Sequence, residues 1–239
     1  MAKIAGLGLA ALLAWMLAAQ VALADENSRW QKLENKPDCV VWNLYPEEQE
    51  TVTWSGACAN GKAQGHGTLM WRYVEDGEWK EIRYEGGMKD GKMYGHGVLV
   101  WASGNRYEGE IKDGKRHGHG VKEWVNGDRY EGEWEDGMKH GSGVWVGANG
   151  DNYDGDWKDG IPHGHGVYVW GPNSEWAGNR YEGDWKDNKM QGRGTLYLAN
   201  GDKCEGGWKD GKLQGTGGGW AEGRQMKCYM DGNDIQFTD

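Results

Sequence analysis

The amino-acid sequence predicts an all-β protein, an elongated antiparallel meander of hairpins in a single sheet, preceded by an N-terminal signal peptide. Three observations support this prediction. Glycine supplies 43 of the 239 residues, and glycine inside a helix costs about 0.5–1 kcal/mol per residue. After residue 24, no segment sustains the apolar spacing of an amphipathic helix. A short aromatic and acidic motif instead recurs about every 23 residues.

The first 24 residues differ in composition from the rest of the chain. Lys3 precedes an uncharged apolar run from Ile4 to Leu23, and Ala24 is followed by the acidic Asp25. A basic start, an apolar stretch and a small-residue end are typical of a secretory signal peptide, here cleaved near Ala24. An uncleaved membrane anchor is the alternative, because the run is about long enough to span a bilayer. The sequence therefore predicts an exported protein, periplasmic or secreted.

Export would place the cysteines in an oxidising compartment, where an even number grouped into two sequence-local pairs suggests two disulfide bridges. Three connectivities are open, and a zinc site is the rival interpretation. The absence of any Cys-x-x-Cys spacing speaks against zinc. Because a repeat array needs closed ends, we expect one bridge at each end. The predicted pairs are Cys39 with Cys58 and Cys204 with Cys228.

The central part of the chain, residues 54–220, is a repeat array. Its copies begin at Tyr84, Tyr107, Tyr130, Tyr153, Tyr181 and Cys204, at intervals of 23, 23, 23, 28 and 23 residues. A degenerate earlier copy begins at Trp54, 30 residues before Tyr84. The two long intervals imply insertions, which we place around 75–81 and 172–177. Residues 221–239 remain as a C-terminal cap or tail.

One copy has the pattern of a β-hairpin. Residues 130–134 alternate an aromatic residue or glycine with an acid, which predicts a strand with one packed and one solvated face. Glu135-Asp136-Gly137 supplies a turn, and a second strand follows over 141–146. The Asn149-Gly150 dipeptide then favours a tight hairpin turn. Stacked copies would form a continuous meander in which each pairs with its neighbours.

Glycines such as Gly118 and Gly120 fall on the strands rather than in the turns. Glycine within a strand often marks the close approach of another group. We therefore expect tyrosine and tryptophan rings to lie flat across glycine stripes and to form most of the core, with some rings facing outward. The pattern does not fix the face of Trp101, Trp124 or Trp170.

The motif from Tyr130 to Val144 resembles the MORN repeat (membrane occupation and recognition nexus), and the resemblance extends from about Trp54 to Trp220. The segment from Cys39 to Cys58 resembles the N-terminal edge of exported bacterial members, so residues 25–53 are expected to form a cap. The resemblance implies an elongated, trough-shaped sheet of about seven hairpins that serves protein interaction, self-association or lipid contact. Departures from the motif are Cys58 and Ile111 for tryptophan, Cys204 for tyrosine and Asn188 for a turn glycine.

No residue pattern points to catalysis or to a cofactor. Acid pairs such as Glu131 and Glu133 recur in every copy, whereas a glycosidase needs one pair in a pocket, so we assign them to a solvated face. The seven histidines fall on two repeat positions whose equivalents lie about 10 Å apart, too far to share a metal ion. Nucleophile and phosphate-loop motifs are absent. The sequence thus predicts a non-enzymatic protein without metal or cofactor.

The charge of the chain narrows the choice of partner. A formal net charge of -10 opposes binding to nucleic acid, which needs clustered Lys and Arg. The same charge disfavours contact with anionic lipid. Binding of lipid headgroups nevertheless stays an alternative function, after the two described next.

The predicted function is a cell-envelope scaffold that binds a protein or peptide, or a second copy of itself, through an aromatic trough. A glycan-binding module of the cell envelope, using the same rings, is the second alternative. The residues predicted to line the trough are Tyr84, Tyr107, Tyr130, Tyr153, Tyr181, Trp134, Trp157, Trp185 and Trp208.

Overall fold

The structure is a computed structural model that describes residues 29–239, except residues 45, 47, 48 and 233. The predicted signal peptide of residues 1–24 lies outside the described residues. Every regular element in the described range is a β-strand, and that range contains no helix with the length and apolarity needed to cross a membrane. The chain divides into two compact units, one ending at Met93 and the other running from Tyr94 to Asp239.

The first unit is built around one long strand. Its strands are β1 (Trp30–Leu33), β2 (Lys36–Trp42), β3 (Thr51–Trp54), β4 (Ala57–Ala59), β5 (Lys62–Glu75) and β6 (Glu78–Lys89). Strand β5 pairs antiparallel with β3, β4 and β6 and makes a parallel bridge to β2 through Val40 and Lys62. The predicted disulfide between Cys39 and Cys58 is confirmed, with an S–S distance of 2.09 Å.

The second unit is a regular antiparallel meander. Its strands are β7 (Lys92–Val100), which begins in the first unit, β8 (Arg106–Lys112), β9 (Lys115–Glu123), β10 (Arg129–Glu135), β11 (Met138–Val146), β12 (Asn152–Lys158), β13 (Ile161–Val169), β14 (Arg180–Lys186), β15 (Lys189–Tyr197), β16 (Lys203–Lys209), β17 (Lys212–Leu213), β18 (Thr216–Ala221), β19 (Arg224–Asp231) and β20 (Asp234–Thr238). From β7 to β16 each strand pairs with the next in sequence. The predicted all-β hairpin fold is confirmed.

The C-terminal end of this meander departs from the regular pairing. Strand β16 pairs with both β17 and β18, and β18 to β20 continue as hairpins. The second predicted disulfide, between Cys204 and Cys228, is confirmed and joins β16 to β19, with an S–S distance of 1.97 Å.

Two kinds of turn alternate along the meander. At Asp136-Gly137 both residues have positive φ, 49° and 87°, as a two-residue type I′ turn requires. At Asn149-Gly150 only Gly150 has positive φ, and its N–H donates to the Gly147 carbonyl at 2.9 Å. The hairpin predicted here is present, but its turn is longer than the tight Asn-Gly geometry we expected. Asp-Gly makes most of the tight turns of the meander, and Asp187-Asn188 makes one of them with φ values of 50° and 64°.

Both predicted insertions lie where the sequence placed them. The first lengthens strands β5 and β6, which meet at a turn containing Asp76 and Gly77, both with positive φ. The second lies between β13 and β14, where residues 172–178 form successive turns. Neither insertion interrupts the pairing of the strands that flank it.

The core of the second unit is built on paired glycines. Gly132 pairs with Gly120 on one side and Gly143 on the other, so glycines form a stripe across the strands. The ring of Tyr130 lies on this stripe: a Cβ added to Gly143 would be 2.6 Å from the Tyr130 Cζ atom. The Tyr130 hydroxyl donates to the carbonyl of Glu133 at 3.0 Å. The expected packing of rings on glycine is confirmed.

Tryptophans join each copy to the one before it. Trp134 Nε1 donates to the Gly120 carbonyl at 3.1 Å, and Trp157 Nε1 to the Gly143 carbonyl at 2.9 Å. Trp134, Trp157 and Trp185 each also meet two tyrosines edge to face, and Trp208 meets Tyr181, with centroids 5.1–5.5 Å apart. We call the side of the sheet that carries these rings the ring face, and the opposite side the acid face. The ladder of rings consists of Tyr107, Trp134, Tyr130, Trp157, Tyr153, Trp185, Tyr181 and Trp208.

Replacing Gly143 by Val is expected to destabilise the protein by about 1–3 kcal/mol, because the new side chain would occupy the space of the Tyr130 ring. The matched control is Ser142→Val, one residue away on the acid face, where the side chain is exposed and the change should stay within about 0.5 kcal/mol. Denaturant unfolding measures both. Equal losses in the two variants would contradict the assignment of the ring face.

The buried tyrosines are expected to make the fold sensitive to alkali. Burial raises the pKa of Tyr107, Tyr130, Tyr153 and Tyr181 above the ordinary value of 10.0. Their contribution to stability is complete below pH 10, and it is lost as the pH rises towards the folded-state pKa values, because only the unfolded chain ionises there. Thermal unfolding should therefore show a steep fall of Tm above pH 10. A flat profile up to pH 11 would be the opposite result.

Candidate functional site

The nine rings predicted to line an open trough are buried. The five tyrosines are 0–1% exposed and the four tryptophans 3–7% exposed. The tyrosines from Tyr107 to Tyr181 lie on the glycine stripe and meet ladder tryptophans edge to face, so little ring surface remains for a partner. The prediction that these rings line an exposed surface is therefore wrong. They are Tyr84, Tyr107, Tyr130, Tyr153, Tyr181, Trp134, Trp157, Trp185 and Trp208.

The accessible part of the ring face lies on either side of the glycine stripe. One row of side chains pairs in register with the buried tyrosines; Lys122 and Trp145, for example, both flank Tyr130. This row consists of Leu99, Lys122, Trp145, Tyr168 and Leu196. Its two leucines are buried, whereas Lys122, Trp145 and Tyr168 are half-buried. These three side chains are therefore the accessible members of the row.

A second row pairs with the ladder tryptophans and with Ile111. It consists of Arg116, Lys139, Pro162, Met190 and Leu213. Its last three members are buried, while Arg116 and Lys139 are half-buried. The charged positions are therefore confined to two adjacent copies. We define Arg116, Lys122 and Lys139 as the cationic patch.

Each cation of the patch lies over aromatic rings. The Lys122 Nζ is 4.6 Å from the Trp124 ring centroid and 5.2 Å from that of Trp101. The Lys139 Nζ is 3.8 Å from the Trp157 centroid, and the Arg116 guanidinium carbon is 4.4 Å from the Trp134 centroid. Such contacts attract a cation through the ring quadrupole. They also hold each charged group over the ring face.

Two members of the cationic patch, Lys122 and Lys139, have lowered pKa values. Burial and, to a smaller extent, the nearby Arg116 together lower the pKa of Lys122 to about 8. Burial also lowers the pKa of Lys139 to about 8; Asp128 opposes this shift, and Lys122 adds to it. Within the described residues, neither lysine forms a salt bridge with a carboxylate. The local field therefore favours an incoming anionic group.

Further aromatic rings border the ring face at its long turns. Tyr168 and Trp170 have centroids 4.9 Å apart, and Trp170 and Trp176 are 5.4 Å apart. The Tyr168 hydroxyl donates to Asp151 at 2.8 Å, which also accepts the Gly171 N–H at 2.7 Å. Asp151 thereby ties the second insertion to the preceding turn. The structure thus places Trp101, Trp124 and Trp170, whose face the sequence left open, beside the ring face.

The acid face is occupied by local interactions. Arg129 donates to Glu131 at 2.6 Å, and Arg180 donates to Glu182 at 2.6 Å. In two copies the second acid accepts a backbone N–H of the next strand: Asp156 Oδ2 from His165 and Asp184 Oδ2 from Arg193, both at 2.9 Å. The carboxylates of this face are half-buried or exposed, as expected of a solvated face. Their bonds to backbone N–H groups were not apparent from the sequence.

Three histidines, His140, His163 and His165, lie within 4 Å of a carboxylate oxygen. His140 Nε2 is 3.4 Å from Glu135, and His165 Nδ1 is 3.5 Å from Asp184. Within the described range, no group of three or more His, Cys, Asp or Glu side chains is arranged to hold a metal ion.

The comparison with known families agrees with the observed repeat. The family model described as MORN repeat matches residues 59–72, 84–106, 107–129, 130–152, 153–175, 181–203 and 204–217, which is more than half of the chain. The matched starts at 84, 107, 130, 153, 181 and 204 coincide with the copies found in the sequence. A search of curated proteins found no match to this chain.

The lowered lysine pKa values predict a rise of stability with pH. Between about pH 8 and the ordinary lysine value of 10.5, the unfolded chain binds more protons than the folded one, so the free energy of unfolding increases. Lys139→Met should reduce this increase, whereas the exposed Lys158→Met should not. Thermal unfolding at pH 7.0, 8.5 and 9.5 measures the rise of stability in each variant. Identical pH profiles for the two variants would refute the assigned burial.

Proposed function

The chain belongs to the MORN-repeat family, and from this premise we propose that it is a non-enzymatic interaction module that binds a protein or peptide across the ring face of its second unit. MORN repeats are generally interaction modules. Their presence directs attention to surfaces rather than to a reacting centre. The predicted cell-envelope location follows from the signal-like sequence of residues 1–24.

The observation that supports the ring face is the exposure of rings that the core does not need. Trp145 and Tyr168 are half-buried although the ladder beneath them is closed. Tryptophan, tyrosine and arginine dominate the binding energy of protein interfaces. On the acid face, by contrast, arginines and backbone N–H groups already engage the carboxylates. A partner therefore gains more contact area, with fewer bonds to break, on the ring face.

Trp145→Ala tests this proposal against Val144→Ala, because these adjacent residues point to opposite faces of β11 and both are half-buried. Immobilised protein would recover its partners from a cell-envelope extract. We expect Trp145→Ala to reduce recovery of the wild-type partners about tenfold or more, and Val144→Ala to preserve it. Unfolding curves would verify that both variants fold. Equal recovery by both variants would refute the proposed surface.

A second copy of the chain is the other protein partner to consider. Sedimentation of the purified protein distinguishes the two cases, since self-association through the ring face would make the sedimentation coefficient concentration-dependent. The same Trp145→Ala substitution should abolish that dependence. If the protein stays monomeric at all concentrations, self-association is excluded and a different protein remains as the partner.

A separate cleft favours glycan binding as the second candidate function. It has a volume of about 280 Å³ and is lined by Trp176, two carboxylates and an amide, together with Leu196, Leu198 and Ile235. An aromatic ring beside hydrogen-bonding groups is a combination that suits a sugar, which presents both an apolar ring face and hydroxyls. The polar lining residues are Glu175, Asn179 and Asp234.

Oligosaccharides from the cell envelope test the glycan candidate. Quenching of tryptophan fluorescence by the sugar should be lost in Trp176→Ala and retained in Trp220→Ala, which removes an exposed tryptophan outside the cleft. Quenching that survives in Trp176→Ala would exclude this cleft as the sugar site.

A further inference from the structure

The accessible row on the ring face has a fixed spacing. Lys122, Trp145 and Tyr168 occupy equivalent positions on β9, β11 and β13, each beside a buried tyrosine of the next strand. Adjacent strands lie about 4.8 Å apart, so side chains two strands away are about 10 Å apart. The row therefore offers three contacts at regular intervals, running across the strands rather than along them.

A polyproline II helix has the matching period. It has three residues per turn and rises about 3.1 Å per residue, so it presents the same side every 9.3 Å or so. A β-strand repeats a side at about 6.6 Å, which does not fit the row. An α-helix repeats a side at about 5.4 Å, so only every second turn would meet a row residue. Among these conformations, polyproline II is the one that meets the row once in every turn.

The two ends of the row differ in chemistry. At the Lys122 end lies the cationic patch, whose lysines contact rings and no carboxylate in the described part of the chain. At the other end Trp145 and Tyr168 are uncharged aromatics, the surface on which proline rings stack in proline-rich recognition. An acidic group is therefore favoured beside Lys122 and apolar rings are favoured beyond it. The chain as a whole has a net charge of -10, so it repels a partner that is acidic throughout. This surface therefore favours a partner that carries an acidic group only near the contact.

We propose that the ring face binds a polyproline II segment of a partner protein, with prolines on Trp145 and Tyr168 and a flanking carboxylate beside Lys122. This inference rests on the proposed function of the same face and specifies the partner's chemistry. A proline-rich segment is extended before it binds, so little conformational entropy is lost on docking. The carboxylate supplies a counter-ion in direct contact, in addition to the Asp128 carboxylate that acts on Lys139.

The test uses a fluorescein-labelled peptide of eight prolines with two glutamates at each end, which presents the same pattern in either chain direction. Fluorescence anisotropy measures its dissociation constant. One control peptide has glutamine in place of every glutamate, and another has four Gly-Ser pairs in place of the prolines. We expect the first control to bind about tenfold more weakly or worse, since it loses charge-assisted contacts. We expect no measurable binding of the flexible control.

Matched protein variants assign the site. Lys122→Met with Lys139→Met keeps long apolar side chains over the rings and should weaken binding of the glutamate peptide about tenfold or more. Lys158→Met with Lys186→Met makes the same change of charge at exposed lysines of β12 and β14 and should change it less than about twofold. Equal effects of the two double variants would overturn the proposal, as would equal binding of the glutamate and glutamine peptides.

The remaining outcomes separate this inference from the proposed function. If no peptide binds while Trp145→Ala still abolishes partner recovery, the ring face binds a partner of another conformation and the polyproline II inference is wrong. If Trp145→Ala has no effect either, both proposals fail. A membrane surface with anionic lipid is the other possible source of negative charge, and vesicles of phosphatidylcholine with phosphatidylserine test it. Flotation that is lost only in the Lys122/Lys139 variant, without peptide binding, would replace the peptide by a lipid surface.

Discussion

The contact between a tyrosine ring and a glycine backbone is the constraint on which the repeats of the second unit depend. With no Cβ on Gly132 or Gly143, the Tyr130 ring can lie flat on the sheet and still reach the Glu133 carbonyl with its hydroxyl. In a single-layer sheet the apolar face would be exposed to solvent, because no second layer of helices or strands covers it. Here the rings themselves are that layer, because a tryptophan such as Trp157 closes over the tyrosine of its own copy and that of the copy before it. The ladder thus couples adjacent copies while it buries their aromatic surface.

Much of this arrangement could be predicted from the sequence. The 23-residue period, the alternation from Tyr130 to Trp134 and the glycines placed on strands predicted hairpins with rings packed on glycine, because period and residue size are local properties. The accessible residues could not be predicted in the same way. Whether Trp134 or Trp145 is exposed depends on strand register, and a bulge after Gly132 changes the pairing within β10 and β11. A motif defined by its recurring residues therefore identified the core, whereas the surface lies at positions where the copies differ.

Those variable positions connect packing with function. The residue opposite Ile111 is Arg116, and the residue opposite the first ladder tryptophan is Lys139. In the next three copies the residue opposite the tryptophan is apolar. An apolar residue suffices for packing, since Pro162 and Met190 occupy the same place and are buried. Desolvation disfavours the charged form of Lys139, which is reflected in its lowered pKa of about 8. The cations are thus not required by the fold, and the anionic partner proposed above would compensate a charge that the fold alone disfavours.

The ends of the ladder explain why the exposed row lies in the middle of the array. Near the start of β16, Cys204 occupies the position that a tyrosine has in the other copies. Leu213, rather than an aromatic ring, covers the glycine stripe here, because a Cβ added to Gly206 would be 2.5 Å from the Leu213 Cδ1 atom. Without a following tryptophan to hold it, this copy is joined to β19 by the Cys204–Cys228 disulfide, and such a cross-link limits the freedom of the unfolded chain. Covalent closure substitutes for the missing neighbour. The middle copies need no such closure, because neighbours support them on both sides. The positions beside the ladder in these copies can therefore carry residues such as Lys122 and Trp145, which are available to contact a partner because the core does not require them.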